Sequence, residues 1–195
     1  MPTLNIFAGI NGAGKSTLYN YLKINSPETL ICEHRVNPDE ILCRFCGNPN
    51  SRADIAKSGK IAIELINKYL TTKTSFNWET TIMSGFALHV IETAKEKGYR
   101  VCVHFIGVEK LEQSLARIKK RVSCGGHNIP DEIVEARFRN QFKNLYTVKN
   151  LADKMFLYDN SKFLKIVGTV INHKLTYTDA KCEWVKQVAE DLSKD

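Results

Sequence analysis

Gly9-Ile10-Asn11-Gly12-Ala13-Gly14-Lys15-Ser16-Thr17 is the stretch that decides how this chain is read. It completes the pattern GxxxxGK[ST], and it stands between a short apolar, β-prone run, Leu4 to Ala8, and a segment of helical pattern opening at Lys15. Glycines allow tight turns, so the backbone N–H groups of Gly9, Asn11, Gly12, Ala13, Gly14 and Thr17 are expected to converge on phosphate oxygens at a helix N-terminus. In that setting Lys15 reaches β- and γ-phosphates and the Ser16 hydroxyl is placed for Mg²⁺, so ATP with Mg²⁺ is the expected cofactor. A plain glycine-rich turn would leave the lysine and the hydroxyl at these offsets unexplained.

Outward from this loop, helix and strand patterns alternate. A helix is expected from Lys15 to Lys23, a strand near Thr29 to Cys32, and a short helix from Pro38. A longer helix follows over Ser51 to Leu70, where Ile55, Gly59, Ala62, Ile63, Ile66 and Leu70 recur at helical spacing. Ser75 to Glu79 reads as a strand, Gly85 to Lys97 as a helix stopped by Gly98, and Arg100 to Ile106 as a strand. Leu111, Leu115, Ile118 and Val122 mark a helix ending at Cys124-Gly125-Gly126, and one long helix is expected from Pro130 to about Tyr146. Lys154 to Tyr158 and Phe163 to Val167 read as strands about the turn Asp159-Asn160-Ser161, and Trp184, Val188 and Leu192 as the stripe of a last helix. Strands separated by such helices call for a mostly parallel sheet covered on both faces, a three-layer α/β sandwich.

The chain has 195 residues, 43% hydrophobic and 25% charged, which excludes wholesale disorder and a disulfide-stapled miniprotein and suits one domain over residues 1–195. A formal charge of +7 favours anionic partners without choosing among them. No run approaches the ~20 apolar residues that span a bilayer, so no membrane partner is expected. Without a leader pattern, the six cysteines suit a reducing cytoplasm. Cys43 and Cys46, with Cys32 and His34 upstream, have the spacing of a zinc knuckle, but the pair also fits one helix face as core or incidental cysteines.

The acids and arginines beyond the loop suggest what is done with the phosphate. Asp39, at a helix start after the second strand, is placed to take a proton from an attacking hydroxyl, or else simply to meet the helix dipole. Glu79, ending the third strand, points to the same sheet edge and would bind acceptor hydroxyls or the water shell of Mg²⁺, or else serve as a structural turn carboxylate. The apolar strand Val101 to Ile106 ends without an acid, unlike a P-loop motor. Arg117 and Arg121, one helical turn apart, and Arg137 and Arg139 beyond the hinge Gly125-Gly126-His127 fit a helical lid within 109–140 that clamps phosphates, with His127 as a nucleotide or acceptor contact. Solvated charge is the plain alternative for each arginine. His104, alternating with apolar residues, reads as a core histidine.

In combination these pieces resemble the zeta toxin family, in particular its small chromosomally encoded relatives. The resemblance rests on GINGAGKST (9–17), VNPDEI (36–41), WETTIMSG (78–85), RIKKRVSCGGHNIPDEIVEARF (117–138), NL (144–145) and LYDNS (157–161), in family order from Thr3 to Val167. It implies a kinase-like α/β core that transfers the ATP γ-phosphate to the 3′-hydroxyl of the amino sugar in UDP-N-acetylglucosamine, with an antitoxin protein that occludes the nucleotide site. It further implies Lys15 and Ser16 on phosphate and Mg²⁺, Asp39 as general base, Glu79 and Thr80 in the acceptor site, and Arg117, Arg121 and Arg137 as the clamp. The acceptor half carries no full set of residues for reading uracil and N-acetylglucosamine, which leaves the small-molecule acceptor open. A nucleic-acid-associated ATPase or polynucleotide kinase, and a non-catalytic ATP-gated binding protein, share the same loop. Against nucleic acid, the basic residues are dispersed and no aromatic residues are interleaved with them.

Overall fold

A computed structural model describes residues 1–25, 31–81, 84–126 and 128–193. In chain order the elements are β1 (Thr3–Ala8), α1 (Lys15–Asn25), β2 (His34–Val36), α2 (Pro38–Arg44), α3 (Arg52–Thr72), β3 (Phe76–Thr80), α4 (Gly85–Glu96) and β4 (Arg100–Gly107). There follow α5 (Leu111–Ser123), α6 (Asp131–Arg139), α7 (Leu145–Leu151), β5 (Lys154–Asp159), β6 (Lys165–Ile171), β7 (Lys174–Thr178) and α8 (Glu183–Leu192). The sheet order is β2-β3-β1-β4-β5-β6-β7. β2, β3, β1, β4 and β5 run parallel, and β6 and β7 are added antiparallel. This is the expected α/β class with a mostly parallel sheet. After β1 the chain first builds outward to β2 and β3, then crosses to β4 on the other side. That reversal opens a crevice at the C-terminal ends of the strands, beside the loop that follows β1.

Strand alternation divides the core. Leu4, Ile6 and Ala8 of β1 face a large cluster that includes Ile66, Val90, Val148 and Trp184 from α3, α4, α7 and α8. Phe7 faces a second cluster with Leu18, Tyr19 and Leu22 of α1. Helices therefore cover both faces. Between β1 and β3 the second face buries an amide pair, Asn5 Nδ2 donating to Asn77 Oδ1 at 3.1 Å. Among the described residues no helix is long and apolar enough to cross a membrane.

Two expectations need correction, and one strand is added. The second strand is His34–Val36, not Thr29 to Cys32. Asn77 takes both backbone groups of Cys32, accepting from its N–H at 3.1 Å and donating to its carbonyl at 2.7 Å, so Cys32 is bonded to a side chain instead of a ladder. Thr29 and Leu30 lie outside the described residues.

The long helix from Pro130 to Tyr146 is two helices, α6 and α7. Phe138 packs on the α1 cluster while Phe142 packs on the α4–α8 cluster and stacks on Trp184 at 5.0 Å. One straight helix does not serve both, and the chain turns between them. Finally, β7 is an added strand. Asn172 (φ 48°) and His173 (φ 67°) are both left-handed, the conformation of a two-residue type I′ turn, and they fold Lys174–Thr178 back on β6.

Candidate active site

The loop after β1 is shaped by what crowds it. Gly12 (φ 76°) and Gly14 (φ 105°) occupy backbone conformations that side chains disfavour. A Cβ on Gly12 would stand 2.6 Å from the Ser114 carbonyl oxygen, and one on Gly14 would collide with the Asn160 amide. Neighbouring elements then fasten the loop through its carbonyls. Arg117 donates to Gly12 O at 3.2 Å and to Asn160 O at 2.5 Å, and Asn160 Nδ2 donates to Ala13 O at 2.7 Å. With the carbonyls held by these donors, loop N–H groups other than that of Ala13, which donates to Ile10 O at 3.2 Å, can face an anion.

Lys15, buried at the start of α1, donates from Nζ to Ile10 O at 3.0 Å. Burial lowers its pKa, opposed by the charges of Glu79 and Asp39 and assisted by those of Arg137 and Arg121. The Ser16 hydroxyl donates to Glu79 at 2.9 Å. Glu79, at the end of β3, gathers the donors of this end of the site: Arg35 Nη2 at 2.8 Å, Asn37 Nδ2 at 3.0 Å, and Lys15 Nζ at 4.0 Å. β4 ends on Gly107, without an acid, and the acid beside the loop is Glu79 of β3, on the other side of β1.

Asn37 caps α2 by accepting from Asp39 N–H at 2.9 Å, which sets the first turn so that the Asp39 carboxylate, 57% exposed, looks into the crevice. Across from it, Arg121 Nη1 lies 3.7 Å from Asp39 Oδ2. Arg137 of α6 donates to Asn11 Oδ1 of the loop, and burial lowers its pKa.

These groups open on a cleft of about 1130 Å³. Of the residues expected from sequence, Asn11, Gly12, Gly14, Lys15, Ser16, Thr17, Asp39, Glu79, Thr80, Arg117, Arg121 and Arg137 line it. Gly9 and Ala13 support the loop from below, Gly9 against the Ile106 carbonyl. Arg139 turns away and pairs with Glu135 on the same helix. His127 lies outside the described residues. Away from the loop, the walls are apolar: Ile55 and Ile63 of α3, Phe86 of α4 and Ile133 of α6, each 37–44% exposed, with Trp78 at the base.

The zinc candidates do not gather. Cys32 lies against Asn5 and the Thr3 carbonyl, and burial pushes its thiol up to about 11; His34 stacks on Tyr69, while Cys43 and Cys46 are exposed at the end of α2. Among the described residues no three His, Cys, Asp or Glu side chains are grouped to hold a metal ion.

Sequence reasoning missed Arg35, Asn37 and Asn160 as parts of the site. Asn37-Pro38-Asp39-Glu40 does carry a helix-start signal that points to Asn37 as a cap. For Arg35 and Asn160 no local pattern exists, because their partners are 44 and 147 residues away.

Comparison with known proteins settles the family. The Zeta toxin family matches residues 1–167. The chain belongs to the zeta toxin family. An uncharacterized protein of Haemophilus influenzae is 35% identical over 133 residues, which is 68% of this chain and 89% of that protein. In structure this zeta toxin family member resembles a chain of the AvrRxo1-ORF1:ORF2 complex, solved with ATP, at TM-score 0.70 and 18% identity over 99% of this chain. It spans only 64% of that chain. It also resembles the PezAT chromosomal toxin–antitoxin system of Streptococcus pneumoniae, at TM-score 0.62 and 15% identity, covering 98% of this chain and 85% of that one. At these identities the structural likenesses speak for the fold.

Proposed function

We propose that this zeta toxin family member is an ATP-dependent kinase that transfers the γ-phosphate to a hydroxyl of a small acceptor, with the UDP-N-acetylamino sugars as the first class to test. The observation that carries the reading is that Asp39 opens into the same cleft as the Lys15–Ser16 end of the phosphate loop, with Arg121 beside it. The loop N–H groups and Lys15 hold the β- and γ-phosphates. Arg121 and Arg137 meet the charge that spreads over the γ-phosphoryl oxygens. Arg117 acts one step back, by fixing the loop carbonyls.

Asp39 accepts the proton of the acceptor hydroxyl as its oxygen bonds to the γ-phosphorus, and the bond from that phosphorus to the bridging oxygen of the β-phosphate breaks to release ADP. Ser16 Oγ and the Glu79 carboxylate, 2.9 Å apart, form an oxygen donor set that suits Mg²⁺, which when bound neutralises phosphate charge. Thr80 and Glu79 lie on the acceptor side, and Ile55, Ile63 and Phe86 offer the acceptor body an apolar wall. Residues 1–195 act as one kinase-like unit whose 109–140 segment serves as lid.

ATP in the AvrRxo1-ORF1:ORF2 complex and the PezAT toxin–antitoxin assembly support the nucleotide and an antitoxin protein as partner. The test is transfer of label from γ-labelled ATP to nucleotide sugars, nucleosides and short oligonucleotides. Transfer to one small acceptor is expected, falling at least ~100-fold in Asp39→Asn, which loses the general base, and in Lys15→Ala. Hydrolysis without any labelled acceptor, or an Asp39→Asn variant as active as wild type, would count against it.

A further inference from the structure

The reading above employs Glu79 and Asp39 but leaves unused a buried arginine that joins the elements carrying them. Arg35 of β2 has 10% of its side chain exposed. Its Nη1 lies 2.5 Å from Glu40 Oε1, its Nη2 donates to Glu79 Oε2 at 2.8 Å, and its guanidinium carbon stands 3.7 Å over the centre of the Tyr19 ring.

Those three partners belong to three of the elements that build the site. Tyr19 is on α1, the helix that the phosphate loop opens. Glu40 follows Asp39 on α2, and Glu79 ends β3 against Ser16. The planar guanidinium presents two edges to two carboxylates and one face to an aromatic ring at the same time, which the single ammonium of a lysine does not. Arg35 itself does not line the cleft.

We propose that Arg35 is a positioning residue for phosphoryl transfer. It touches neither nucleotide nor acceptor; it holds the Glu79 carboxylate against Ser16 and, through Glu40, fixes the turn of α2 that presents Asp39. The catalytic part of this inference rests on the kinase reading, and its binding part does not.

The experiment is a cycle of Arg35→Gln, Arg35→Lys, Glu79→Gln and the Arg35→Gln/Glu79→Gln double variant, all in the full chain. Steady-state transfer is expected to show kcat lowered about tenfold or more in Arg35→Gln with KM for ATP within about threefold. Arg35→Lys recovers less than half of the loss, and in the Glu79→Gln background Arg35→Gln costs less than about threefold more, because its action runs through Glu79.

A second readout is the thermal shift given by a non-hydrolysable ATP analogue. Without Mg²⁺ the shift is expected to match wild type in every variant. The extra shift on adding Mg²⁺ shrinks in Arg35→Gln and in Glu79→Gln, and the double variant is no worse than either. Losses that multiply in the double variant, full activity in Arg35→Lys, or an equal loss of the magnesium-free shift would each overturn the assignment. Where Arg35→Gln does not fold, Arg35→Lys carries the same cycle. Absence of transfer by wild type to any acceptor would sink the kinase reading, and the thermal cycle would still decide on Arg35.

Discussion

Glu79 and His104 are both polar residues in the strands, and their surroundings give them opposite fates. Glu79 collects donors from Ser16, Arg35 and Asn37 and remains at the cleft. His104 is fully buried, stacked between Phe7 at 4.9 Å and Phe156 at 5.4 Å, with Nδ1 3.1 Å from the Tyr158 hydroxyl. The alternation of β4 already marks His104 as a core residue, and burial holds its pKa down at about 4 from an ordinary 6.5. Between these two values the unfolded chain binds the proton that the folded chain refuses, so stability rises with pH across that window. Urea unfolding is therefore expected to show stability falling by up to roughly 3 kcal/mol from this group as pH drops from 6.5 to 4. His104→Phe, which keeps the stack, should remove this part of the slope; an unchanged slope would show that other groups set it.

At the scale of elements, α5 does two jobs that its sequence only half reveals. The stripe Leu111, Leu115 and Ile118 packs with Ile129 and Val134 of the following segment, while Val122, read as part of the same stripe, is 36% exposed. Arg117 and Arg121 share a side, as their spacing requires, yet Arg117 reaches loop carbonyls and Arg121 reaches Asp39. A solvated arginine and a structural one have the same spacing, and only the partner distinguishes them. Arg117→Ala is expected to lower stability by about 1.5–3 kcal/mol, the range for a hydrogen bond to a charged group. It should also weaken ATP-analogue binding about tenfold through the loosened loop. Chemical unfolding and calorimetry measure the two effects. Loss of affinity with unchanged stability would make Arg117 a direct phosphate ligand instead.

For the whole molecule, the family match and the folding unit end in different places. The match stops at residue 167, but Val170, Trp184, Val185, Val188 and Leu192 belong to the main core. Trp184 also donates to the buried Asp159 at 2.9 Å and lies against Gly107, where β4 ends beside the site. Removing one buried tryptophan side chain costs about 3–5 kcal/mol, and a domain of this kind has only about 5–15 kcal/mol in hand. A chain cut after Val167 is therefore expected to lose its cooperative thermal transition and its near-UV circular dichroism. A truncated protein that unfolds cooperatively near the wild-type temperature would show that most of β6, with β7 and α8, is an appendage. The cleft is a property of the same scale: it brings Lys15, Arg117, Arg121 and Arg137 from three helices to face Asp39 and Glu79.

What the amino-acid sequence determined by itself was local. The phosphate loop, the amphipathic helices and the apolar strands are written in spacing over a few residues, because backbone turns and helical periodicity are short-range. The departures arose where distant groups competed for the backbone or the core. Asn77 claimed the backbone of Cys32 and displaced the second strand, and Phe138 and Phe142 served separate clusters and divided the helix between them. Arg35 and Asn160 entered the site from far along the chain. The sheet order alone juxtaposes them with Glu79 and the loop, since hydrogen bonds and ion pairs depend on separation in space and leave no periodic trace in sequence.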